Sequence, residues 1–171
     1  LARPLDQPLP EPVLPPGFSL RPSLGAAEAE AWVRLHRAAH GTDTMTVERR
    51  LSIIQVAGFD PALDLVAVAP DGRLAAYCVG SISQEENALT GRQTGYTDPL
   101  ATHPDFQRKG LGRAVMLEAL DRMQQWGLRE AIVTTGEDNL PAIRLYEASG
   151  CRLARRRLYD QLKIKGNAQG D

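Results

Sequence analysis

The chain has 171 residues, 43% of them hydrophobic, and a formal net charge of −1 from 20 basic and 21 acidic residues. That length suits one domain of the usual ~100–200 residues with a sizeable core. The charges are interspersed, which argues against nucleic acid or an anionic membrane surface as a partner. The longest apolar runs, such as Leu63 to Ala69, fall far short of the ~20 residues that cross a bilayer. No secretory signal pattern opens the chain, although a start at Leu1 rather than Met leaves a leader or an upstream domain open. Cys78 and Cys151 have no metal-ligand spacing, and neither do His36, His40 and His103, so no metal is expected. Two buried thiols in a reducing cytoplasm are the expected state of the cysteines.

The prolines between Leu1 and Gly17 lock φ and remove N–H donors, so this stretch reads as an extended arm or linker before a domain at 18–165. Phe18–Arg21 alternates in polarity and suits a first strand. Leu24–His40 carries Trp32, Leu35, His36 and Ala39 at helical spacing, and Gly41 stops it. A second helix is predicted over Val47–Ala57 with Thr46 as its N-cap. Leu63–Val68 and Leu74–Ile82 are strands joined by an Asp71-Gly72 hairpin turn. Gln84–Arg92 is polar and reads as a loop between antiparallel strands. Gly95–Thr102 is the next strand.

His103-Pro104-Asp105 turns out of that strand into Gln107-Arg108-Lys109-Gly110-Leu111-Gly112, and an amphipathic helix follows. A strand, a glycine-rich loop and a helix N-terminus aim several N–H groups at one spot, and that spot suits a phosphate. Gly110 and Gly112 let the backbone approach it, while Arg108 and Lys109 add positive charge. The dinucleotide fingerprint Gly-x-Gly-x-x-Gly is the rival, but Val115 occupies its third glycine. The helix puts Leu111, Val115, Met116, Ala119, Leu120 and Met123 on a buried face and turns Arg113, Asp121 and Gln124 to water. Gly127 ends it. Ala131–Thr135 is a buried strand, expected to lie parallel to Leu100–Thr102 because a crossover helix joins them. Asn139, a helix over Pro141–Ser149 and a stop at Gly150 come next. A final strand, Arg152–Ile164, carries Arg155, Arg156 and Arg157 on a solvated edge. Residues 166–171 read as a frayed tail.

Two of these segments, Gln107-x-x-Gly-x-Gly112 and Asn139-x-Pro-Ala-x-x-x-Tyr146-x-x-x-Gly150, resemble the GCN5-related N-acetyltransferase (GNAT) family. The resemblance is close from Gly95 to Leu153 and loose before it. It implies an α/β fold: a mixed, mostly antiparallel twisted sheet with a central splayed parallel strand pair, and helices on both faces. It also implies acetyl-CoA as cosubstrate. By position, the backbone of Gln107, Arg108, Lys109, Gly110, Leu111 and Gly112 would hold the pyrophosphate, and Arg113 is a further cofactor-binding candidate. Leu100, Ala101 and Thr102 would pair with the pantetheine arm, and Asn139 would contact it. Tyr146 would stand near the sulfur as proton donor to the leaving thiolate. His40, Asp43 and Thr44, between the first two helices, would border the acceptor. The arginine run is a lesser candidate for the 3′-phosphate, and Cys151 stands where the family more often has an aromatic residue.

An amine with a reference pKa of ~10.4 must lose a proton before it attacks a thioester. Asp98 is the candidate acceptor, on the strand entering the cleft, where many relatives carry an acid; alternation puts it on one face with Leu100 and Thr102. A backbone N–H at the end of this strand would stabilise the charge growing on the thioester oxygen. Neither cysteine is needed, so the implied activity is direct acetyl transfer to the primary amine of a small molecule. The alternatives are a non-catalytic acyl-CoA-binding module, part of a tandem protein, and a protein N-acetyltransferase. A homodimer remains open.

Overall fold

The computed structural model describes residues 1–154, so the Arg155–Arg157 run, nearly all of the expected final strand and the tail lie outside it. Among the described residues the strands are β1 (Ala2–Pro4), β2 (Ser19–Pro22), β3 (Phe59–Val68), β4 (Leu74–Ser81), β5 (Thr94–Thr102) and β6 (Glu130–Ile132). The helices are α1 (Ala29–His40), α2 (Val47–Ile53), α3 (Gln84–Thr90), α4 (Leu111–Gln125) and α5 (Leu140–Ala148). The strands make one sheet in the order β1-β6-β5-β4-β3-β2. Every neighbouring pair is antiparallel except β5 and β6.

Strand alternation divides the core. Leu65, Ala67, Ala76 and Cys78 face α4 and pack on Leu111, Val115 and Ala119. Val66, Tyr77 and Val79 face the other way, onto Trp32, Val33 and Leu35 of α1. Farther along α4, Met116, Leu120 and Met123 meet Ala131, Val133 and Tyr146, which brings α5 onto the same side as α4. The sheet therefore has α1 and α2 on one face and α4 and α5 on the other. The helix ends follow local chemistry. Thr46 accepts from the Arg49 N–H at 3.1 Å at the start of α2. Gly41 closes α1 with φ 62°, a backbone angle that favours glycine.

Several expectations are corrected. α2 stops at Ile53 rather than Ala57. The polar stretch after β4 is not a loop but the helix α3, which Ser83 caps by accepting from the Glu86 N–H at 3.2 Å. Ser83 and Glu86 have the spacing of a capping box, which outweighed the lack of an apolar face. Gln124 is not turned to water: its amide donates to the carbonyls of Leu5 at 2.5 Å and Gln7 at 3.1 Å. The arm is extended, as its prolines require, but its first residues belong to the sheet. Ala2, Arg3 and Pro4 pair with Ile132, Ala131 and Glu130, Leu5 is buried, and the Arg3 guanidinium donates to the Pro8 carbonyl at 3.0 Å.

The last correction shapes the site. β6 is only three residues long, and it pairs with Thr94, Gly95 and Tyr96 at the start of β5 rather than with Leu100–Thr102. Past Ile132 the chain follows the arm, the Val133 N–H donating to the Leu1 carbonyl at 3.0 Å, while the pairing with β5 has ended. The two parallel strands thus part, and Thr97–Thr102 continues without β6 beside it.

Candidate active site

The glycine loop is anchored by Phe106, buried at 6% exposure in the short turn Pro104–Phe106. The Phe18 ring meets it edge-on at 5.8 Å, and Lys109 Nζ lies 5.6 Å from its centre. The His103 ring accepts from the Asp105 N–H at 3.2 Å and shapes the turn. Arg108 (φ 60°) and Gly110 (φ 81°) both have left-handed backbone, a geometry that turns successive N–H groups inward. No side chain caps α4, so its first N–H groups, from Leu111 on, have no intrahelical acceptor. A Cβ on Gly112 would come within 2.9 Å of Leu145 and 3.0 Å of Thr102 Oγ1. Glycine there lets the helix start press onto the end of β5. Gln107 reaches the Thr102 carbonyl at 3.5 Å, and Arg113 is drawn aside to the Ala148 carbonyl at 3.2 Å.

Leu100, Ala101 and Thr102 pair with Cys78, Tyr77 and Ala76 of β4. In an antiparallel ladder, alternate N–H and C=O groups point to the other edge; here that edge borders the gap left by β6. Just before, two residues of β4 span three of β5, because Cys78 opposes Leu100 but Gly80 opposes Thr97. This bulge falls at Asp98-Pro99, where proline has no N–H for the ladder. The extra residue reverses the alternation. Leu100 packs toward α4, whereas Asp98 lies on the α1 side, within electrostatic reach of His40. The expected shared face is therefore corrected.

Asp98 borders a cleft of 660 Å³ whose walls include Ile53, Val56, Phe59, Val79 and Ile82, with Glu85 at its rim. Burial pushes its carboxyl above the usual carboxylate range, and His40 opposes this. Tyr146 is 5% exposed in the core against Met116 and Leu120. Burial first, then Cys78, Asp98 and Cys151, push its hydroxyl up to about 12, so it holds its proton at neutral pH. Asn139 caps α5, its side-chain oxygen accepting from the Ala142 N–H at 3.3 Å. Thr44 bonds locally to Thr42 at 3.1 Å, and among the described residues no hydrogen bond or ion pair ties Asp43 or Thr44 to Asp98.

The structure adds two residues that sequence reasoning did not single out. The Tyr77 hydroxyl is hydrogen-bonded to His36 Nδ1 at 2.7 Å and to His40 Nε2 at 3.1 Å. His36 lies on Trp32, ring centres 5.3 Å apart, and burial lowers it to about 4, with His40 and Arg49 adding. Burial also raises the Tyr77 hydroxyl. A signal was present in the sequence: His36 and His40 are four apart and share a helix face. Tyr77 had none, inside an apolar run.

The description "Acetyltransferase (GNAT) family" belongs to a family model that matches residues 29–151. The chain belongs to this family. Among its relatives, the mycothiol acetyltransferase of Pseudarthrobacter chlorophenolicus is 31% identical over 146 residues, 83% of this chain and 45% of that protein. The mycothiol acetyltransferase of Kineococcus radiotolerans is 35% identical over 143 residues, 81% of this chain and 44% of that protein. The chain spans about half the length of the curated relatives it matches. A crystallised GCN5-related N-acetyltransferase from Sphaerobacter thermophilus aligns with TM-score 0.73 at 28% identity, covering 87% of this chain and 45% of that one. An aminoglycoside acetyltransferase from an uncultured soil metagenomic sample, crystallised with sisomicin, aligns with TM-score 0.68 at 15% identity, covering 86% of this chain and 97% of that one. That likeness shows the GNAT fold alone. No helix among the described residues is long and apolar enough to cross a membrane.

Proposed function

We propose that this GNAT chain moves an acetyl group from acetyl-CoA directly to a primary amine of a small molecule. The observation that carries the proposal is the parted β5–β6 pair leading into an uncapped, glycine-bearing helix start. The names of the relatives support it. Gly112 supports it indirectly, since it lets the start of α4 pack on Leu145 and the end of β5 and so sets the uncapped N–H groups beside that strand. In this reading the N–H groups of Gln107–Gly112 and of the first turn of α4 hold the diphosphate, with Arg108, Lys109 and Arg113 around it. The free edge of Leu100–Thr102 holds the amide-bearing arm, assisted by Asn139. Acetyl-CoA supplies an activated acyl group. A main-chain N–H of β5 steadies the charge that develops on the acyl oxygen. Asp98 draws the ammonium into the cleft and helps to remove its proton, and Tyr146 returns a proton to the departing thiolate. The cleft beside Asp98 receives the acceptor, and His40, Asp43 and Thr44 are assigned to it from the segment that ends α1.

The second reading, a non-catalytic acyl-CoA-binding module of a tandem protein, draws on the half-length match to the relatives. Differential scanning fluorimetry tests binding. Ligand at about 100 times its Kd adds about 2.7 kcal/mol, a rise of about 5–10 °C in Tm for a chain of this size. No shift at saturating acetyl-CoA overturns the site. A thiol-release assay over a panel of amines separates the two readings, because a module binds without turnover.

A further inference from the structure

We propose that His40 takes the proton of the acceptor amine, directly or through Asp98, and that Tyr77 and His36 are positioning residues that hold the resulting imidazolium. This rests on the acetyl-transfer reading above. An imidazolium has two N–H donors and no acceptor. One of them, on Nε2, faces the Tyr77 hydroxyl at 3.1 Å. Tyr77 accepts that hydrogen only if its own hydrogen goes elsewhere, and His36 Nδ1 waits at 2.7 Å. His36 in turn accepts only while it is neutral, and burial holds it neutral down to about 4. Tyr77, raised by burial, keeps its hydrogen and so stays both donor and acceptor.

The rings are fixed for this task. Trp32 stacks on His36 at 5.3 Å and lies 4.5 Å from Tyr77, and the two histidine rings are 4.4 Å apart. His40 is the last residue of α1, where the carbonyl end of the helix favours a cation. The charged and titratable groups facing this set are Asp98 on β5, Arg49 and Arg50 on α2, and Cys78 on β4. His40 acts on Asp98 against the push of burial, whereas Arg49 bears on His36 and helps to keep it neutral.

The step balances. The ammonium N–H bond breaks and an N–H bond forms on His40. The freed amine forms the C–N bond as the C–S bond breaks, the thiolate takes the Tyr146 proton, and the proton then lost from the acylated nitrogen restores the Tyr146 hydroxyl. His40, exposed at its outer side, then releases its proton to water.

The test is histidine-ring proton NMR of the whole chain across pH, for the wild type, Tyr77→Phe and His36→Phe, alongside the pH dependence of kcat/KM. Both substitutions keep the ring that packs on Trp32. In Tyr77→Phe the His40 titration midpoint is expected about one pH unit lower, the scale of a hydrogen bond to a charged group. The acid limb of kcat/KM should follow it. His36→Phe is expected to move both in the same direction by less. His40→Gln should lose that limb and about 100-fold in rate. An unmoved midpoint in Tyr77→Phe overturns the proposal, as does a wild-type pH profile in His40→Gln. A chain that binds acetyl-CoA, shows the shifted midpoint and yet acetylates no amine in the panel sinks the acetyl-transfer reading and His40's role with it. Turnover with an unmoved midpoint overturns this proposal alone.

Discussion

At the scale of single residues, Tyr146 has the environment its proposed task requires. A proton donor must keep its hydrogen until negative charge arrives, and burial that pushes the hydroxyl up to about 12 ensures this. Tyr146→Phe removes one oxygen and leaves the ring packed on Met116 and Leu120. We expect turnover to fall about 100-fold, the lower range of general acid catalysis, with acetyl-CoA affinity nearly unchanged. Steady-state kinetics beside calorimetric binding checks this, and an unchanged kcat would make Tyr146 a core residue only. The motif residues were legible in the sequence because their demands are local: a left-handed backbone at Gly110, close approach at Gly112, a side-chain cap at Asn139. Tyr77 was not legible, since nothing in an apolar run marks the hydroxyl that two histidines will find.

At the scale of elements, α2 depends on one buried ion pair. Arg50 is fully buried, pairs with Asp64 of β3 and lies 4.1 Å over the Trp32 ring. Breaking such a pair leaves a buried charge unmatched and costs about 3–5 kcal/mol. Arg50→Ala should therefore lower the urea midpoint sharply, and Arg50→Met with Asp64→Leu should recover most of the loss; equal losses in both would refute the pairing argument. α2 and α4 were legible from caps and from apolar spacing. The bulge in β5 had one trace, Pro99, which gives no N–H to a ladder, although alternation alone placed Asp98 on the face of Leu100. The pairing of β1 with β6 was not legible, since no local pattern reveals a partner at the far end of the chain.

For the whole molecule, His36 sets an acid limit. Its folded value, about 4, lies below the unfolded value of about 6.5. Above 6.5 the ring is neutral in both states and has no effect. As pH falls from about 6.5 to about 4, the unfolded chain takes up a proton that the folded chain resists, and stability drops. Urea midpoints at about pH 7.5 and about pH 5 should differ, and His36→Phe should narrow the difference; an identical gap in the variant would assign it to other groups. The order of the sheet also explains why the fold was readable in outline while the acceptor was not. The proposed cofactor side rests mostly on one stretch, Leu100–Arg113, with Asn139 and Tyr146 added, whereas the cleft proposed for the acceptor gathers residues from the end of α2, β3, β4, α3 and β5.

The bulge at Asp98-Pro99 has one more consequence. Asp98 just before it lies on the α1 side and Leu100 just after it packs toward α4, so one short stretch of β5 borders both faces of the sheet. The partition between them is breached only where β6 turns away. In the proposed transfer the two reactants come in from opposite faces of β5, so that neither has to leave before the other is admitted.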